Sequence, residues 1–98
     1  MSARLEAIER AMHAAERASA MVQEPGALDN EAASMPVLRE VWACRVALSE
    51  ARTLEEDPEH SATAKALERE LLENIDTMLG MVLEVIDLSK AKARGALQ

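Results

Sequence analysis

The sequence predicts an all-α protein, on three observations. Apolar residues make up 49% of the 98-residue chain, yet aromatics contribute only 1%, with no Phe or Tyr. Leu, Val, Ile, Met and Ala must therefore fill the core, and Ala and Leu lead the helix-propensity ranking while strands favour aromatic and β-branched side chains. Apolar positions also recur at alternating steps of three and four, the spacing of one helical face. Finally, three Gly and three Pro leave little turn chemistry for a many-stranded sheet. The expected architecture is a single three-helix domain, two shorter helices and one long C-terminal helix, forming a hairpin or bundle that dimerisation completes. At this length a lone domain buries only about 60–65% of its unfolded surface, so a second chain would add useful core.

Ser2 suits an N-cap, and Leu5, Ile8, Met12, Ala15, Ser19 and Val22 then follow on one seam, predicting a first helix over residues 3–23. Ala7, Ala11, Ala14 and Ala18 flank that seam and are small enough for a neighbouring helix to approach closely. Glu6 and Arg10 have the spacing to pair on the outside. Residues 24–35 carry Pro, Gly, Asp, Asn and Ser without sustained periodicity and read as a mobile connection, with at most a turn of helix at 30–33. Pro36 suits a first helical position, where a missing N–H costs nothing, so the second helix is expected over 36–55. Its main stripe is Val37, Val41, Cys44, Leu48 and Ala51, with Leu38, Trp42 and Val46 beside it.

The run from Thr53 to Glu59 should close this helix and open the third in a tight antiparallel hairpin, with Asp57 as N-cap and Pro58 at the first position. The third helix is expected over 58–94, about 50–55 Å long, ending in Lys90, Lys92 and Arg94, cations that suit a helix C-terminus. One heptad seam on it reads Leu67, Leu71, Asn74, Met78, Met81, Val85, Leu88, and a second line reads Leu72, Ile75, Leu79, Val82, Ile86. Two adjacent stripes need two packing neighbours, and Leu83 adds apolar area on another side. The first two helices are too short to cover all of it. The expected protein-interaction residues are therefore Leu71, Leu72, Ile75, Met78, Leu79, Met81, Val82, Val85 and Ile86, joined by the lone aromatic, Trp42, which equally suits the plug of an Ala- and Leu-filled core. Asn74, the amide on the main seam, is the candidate for fixing register between copies, and Gly80 marks a close crossing, a bend or an unconstrained solvent position. The expected partner is a second copy, as a homodimer, or a protein offering an amphipathic helix.

Several function classes are disfavoured. A net charge of −7 repels phosphate backbones, so no nucleic acid is expected. The apolar stretch 78–88 is broken by Glu84 and Asp87 and falls short of the ~20 residues a membrane span needs. One cysteine forms no intrachain disulfide, and the charged start Met1-Ser2-Ala3-Arg4-Leu5-Glu6 lacks the apolar core of a secretory signal, which makes the cytoplasm the expected location. Cys44 falls on an apolar stripe and reads as core. His13 and His60 are isolated, and the acidic cluster Glu55, Glu56, Asp57 and Glu59 lacks the EF-hand pattern and suits a helix N-terminus, so neither a metal nor a cofactor is expected. No catalytic set stands out. Arg39, Arg45 and Arg52 are spaced along helix 2 without an acid or base beside them on the seam. The expected function is a non-enzymatic helical interaction module, such as an adaptor, chaperone or sequestering regulator. A self-assembling structural bundle is the first alternative and a small helical-dimer enzyme the second.

Overall fold

A computed structural model describes residues 3–54 and 61–96 and contains three helices: α1 (Ala3–Val22), α2 (Glu31–Thr53) and α3 (Ser61–Ala96). Among the described residues there is no strand, as the composition predicts. Ser2, the acidic cluster with Asp57 and Pro58, and His60 lie outside the described residues.

The hairpin of α1 and α2 is built on alanine. Ala7, Ala11, Ala14 and Ala18 are buried together with Ile8 and Ala15, whereas Leu5, Met12 and Val22 are half buried and Ser19 is exposed. The inner line thus runs through the residues expected to flank the seam, because side chains lacking a γ-carbon let a second backbone come close. From α2 the opposing residues are Val37, Val41, Cys44, Leu48 and Ala51, all buried as expected, with Ala47 added. Two ion pairs lie across the hairpin, Arg17 Nε to Glu40 Oε2 at 2.9 Å and Arg10 Nη2 to Glu50 Oε1 at 3.0 Å. A step up α1 is a step down α2, so the helices are antiparallel. Arg10 reaches across to Glu50 rather than along α1 to Glu6.

The connection is shorter than its composition suggests. Pro25 and Gly26 form the centre of a turn closed by the Ala27 N–H on the Glu24 carbonyl, with Gly26 at φ +84°, the arrangement of a type II turn. The chain then enters α2 at Glu31, five residues before the position expected from Pro36. Asn30 supplies the cap: its Oδ1 accepts the Ala33 N–H at 2.8 Å. Ser34, expected in the connection, is buried within the first turns, and its hydroxyl donates to the Glu31 carbonyl at 2.8 Å. Pro36 is tolerated because, this near the helix start, its missing N–H deprives only the Ala32 carbonyl of an intrahelical partner. A strong cap outweighs one lost bond.

α3 lies along the hairpin, antiparallel to α2. Its buried residues are Ala64, Glu68, Leu71, Ile75, Met78 and Val82, at steps of four and three. This line runs between the two expected stripes, taking Leu71 and Met78 from one and Ile75 and Val82 from the other. α3 sits over the groove between α1 and α2, so the middle of its apolar arc faces inward. Fully burying side chains such as Ile75 and Val82 contributes roughly 1.5–3 kcal/mol each. At the lower end, Arg4 Nη2 meets Glu68 Oε1 at 2.9 Å, with side chains only 12% and 10% exposed. α3 continues unbroken through Gly80, where an added Cβ would meet nothing within 4 Å. Gly80 is the unconstrained solvent position and no crossing.

With 36 residues α3 is about 54 Å long, and it sets the long dimension of a molecule measuring 60 × 23 × 15 Å. The radius of gyration is 16.3 Å, against about 13 Å for a compact chain of this length. The accessible surface, 6508 Å², exceeds by about 1,000 Å² the roughly 5,500 Å² exposed by a typical folded monomer of 10.7 kDa.

Candidate interaction surface

Because the middle of α3 faces the hairpin, Ile75 and Val82 are fully enclosed in the core and Leu71 and Met78 are largely buried at the edge of a groove, where the sequence expectation placed all four on the interaction surface. What α3 offers outward are its two flanks. Met81 is exposed and Val85 half buried on the side facing α1, while Leu72, Leu79 and Ile86 are half buried on the side facing α2. Leu83 and Leu88 are exposed, Leu88 to 58%. Asn74 is also exposed, off the buried line, so it sets no register between the helices of one molecule.

Each flank borders a groove. Between α1 and α3 an open groove of about 470 Å³ is lined by Met12, Leu67, Leu71 and Met78, with Ser19, Asn74 and Thr77 among its polar groups and Glu16 and Glu70 as its charges. Between α2 and α3 a second, of about 480 Å³, has a floor of Met35, Leu38, Val41 and Leu79, with Trp42 at its side and Arg39 and Arg45 as its polar residues. The two grooves therefore differ in sign: carboxylates border the first and guanidiniums the second.

The second groove is the stronger candidate. Trp42, for which the sequence allows either a core or a surface role, is 66% exposed, and Val46 one turn on is exposed as well. A large apolar ring standing in water beside an apolar floor is costly unless something covers it, and tryptophan is enriched at the centres of protein interfaces. The 4-residue spacing of Leu38, Trp42 and Val46 puts this ridge on the side of α2 next to Leu79 of α3.

The remaining candidates sort by burial. Cys44 is fully enclosed, and loss of hydration pushes its thiol from 9.0 up to about 11, which suppresses the reactive thiolate. His13 is exposed. Among the described residues no three His, Cys, Asp or Glu side chains gather to hold a metal ion, and no helix is long and apolar enough to cross a membrane. Two features lie beyond the stripes read from the sequence. The buried Arg4–Glu68 pair follows from placing Glu68 on the line Ala64, Glu68, Leu71, Ile75, a heptad visible in the sequence once a charged residue is admitted to it. The split of charge between the grooves has no local signal, since it depends on which carboxylates α1 takes up. No protein-family model, curated protein or solved structure matches this chain.

Proposed function

We propose that the protein acts by helix docking and not by catalysis: it is a small interaction module, of the adaptor, chaperone or sequestering-regulator kind, that presents the Trp42 ridge of α2 and the adjoining flank of α3 to an amphipathic helix. The observation that supports this most is Trp42, two-thirds exposed beside an apolar floor. An amphipathic helix is the occupant that such a trough between two helices fits, because its apolar face reproduces the packing of a third helix. Self-assembly, the second reading, is favoured by the apolar side chains of Leu83 and Leu88 that α3 leaves exposed.

The test is parallel affinity capture from the native host with the wild-type chain and with Trp42→Ala, accompanied by solution mass measurements of both. A stoichiometric protein, or a second copy, held by wild type and lost from Trp42→Ala supports the reading. Identical recoveries and identical masses for the two chains remove it.

A further inference from the structure

The groove between α2 and α3 carries a charge pattern that selects its occupant. On α2, the two acids level with the groove and just below it, Glu40 and Glu50, are turned toward α1 and engaged by Arg17 and Arg10. The side of α2 toward α3 is left with two cations, Arg39 at its outward edge and Arg45 within the groove on the stripe of Leu38. Arg39 is exposed and has no ion pair among the described residues, and Arg45 approaches Asp76 only to 4.0 Å, with side chains 48% and 64% exposed. On α3 the pattern is reversed: between Arg69 and Lys90 there is no lysine or arginine, and Asp76 and Asp87 stand on the outward side beside Leu79 and Leu83. The face is thus cationic along α2 and acidic along α3, with Trp42, Leu79 and Leu83 between the helices and Arg45 leaning across toward Asp76.

Such a face is complementary to itself. A two-fold axis parallel to the helices lays α2 of one copy on α3 of the other, cation edge on acid edge, and every neighbouring pair of helices in the resulting four-helix layer is antiparallel. A two-fold axis across the helices would instead bring arginines onto arginines. We infer that a second copy of this chain covers the α2–α3 face in a two-fold homodimer, with Trp42 of each copy seated against the Leu79 and Leu83 flank of the other, and with Arg39 and Arg45 facing Asp76 and Asp87 of the other. This rests on the docking role proposed above and names the partner.

The test uses the full chain in sedimentation equilibrium across concentrations, with far-UV circular dichroism to confirm that each variant keeps its helices. Wild type should sediment as a dimer. Arg39→Glu with Arg45→Glu should weaken the dimer by about tenfold or more through like-charge contact, and so should Asp76→Arg with Asp87→Arg. Combining all four changes in one chain should restore association to within a few-fold, because opposite edges meet again with signs exchanged. Trp42→Ala should give a monomer. A monomeric wild type, or reversals that leave the dimer intact, overturns the inference; so does a four-fold variant no tighter than the pairs. A monomeric wild type whose capture of another protein is lost with Trp42→Ala would remove the second copy while keeping the docking role. A wild-type dimer indifferent to Trp42→Ala and to the reversals would remove both from this face.

Discussion

The two interfaces inside this molecule are made of different material. Between α1 and α2 the inner line is mostly alanine, and the helices close on each other with little left outside. Between α3 and that hairpin the inner line includes Leu71, Ile75, Met78 and Val82, larger side chains on a helix longer than either neighbour. Small residues give close approach and completeness, whereas large ones on one broad arc bury their middle and leave both edges facing water. The hairpin is therefore the scaffold and the edges of α3, with the adjacent ridge of α2, are where the molecule has surface to offer.

This contrast can be broken or sharpened by substitution. The largest effect is expected from Ile75→Ala, which empties one of the places where α3 is fully covered and should cost about 3–4 kcal/mol in chemical denaturation. A loss under about 1 kcal/mol would mean that α3 is not truly seated on the hairpin. Ala11→Leu should cost about 3 kcal/mol by forcing α1 and α2 apart, and easy tolerance of the added carbons would show that the alanine contact is loose. Cys44 offers a test of the same interface by pH. Its thiol titrates near 9 in the unfolded chain and near 11 when folded, so the folded state favours the protonated form. The contribution is complete below pH 9 and declines as pH rises toward 11, by roughly 2–3 kcal/mol in all. Cys44→Ala should remove that slope, and an equal slope in the variant would assign it elsewhere. The smallest effect is a gain: Gly80→Ala adds a Cβ into open space on the outer side of α3 and should raise stability by about 1 kcal/mol. A loss would place an unsuspected neighbour there.

Much of this fold is legible in the sequence. Helix number and class, the inner stripe of α2 and the excess length of α3 all follow from periodicity and composition. Three things do not. The start of α2 is hidden because Pro36 gives a loud local signal, while Asn30 acts through a side-chain bond that matters only once the helix exists. The inner line of α1 is hidden because hydrophobic size ordinarily marks the inside, and in a close helix pair the smallest residue wins. Among the candidate site residues, Trp42, Leu79 and Met81 do reach the surface, but Leu71, Ile75, Met78 and Val82 turn inward. A single helix pattern defines an arc without saying which part of that arc the neighbours occupy.

Trp42 also determines how this protein will look to a spectroscopist. With no Tyr or Phe, it is the only aromatic chromophore in the chain, and it stands in solvent rather than in the core. An isolated copy should therefore give almost no near-ultraviolet dichroism and little change of emission on unfolding, although its interior is fixed. The usual optical signature of a molten globule would be produced by a well-packed molecule, and order in this interior is better followed through methyl resonances or amide exchange.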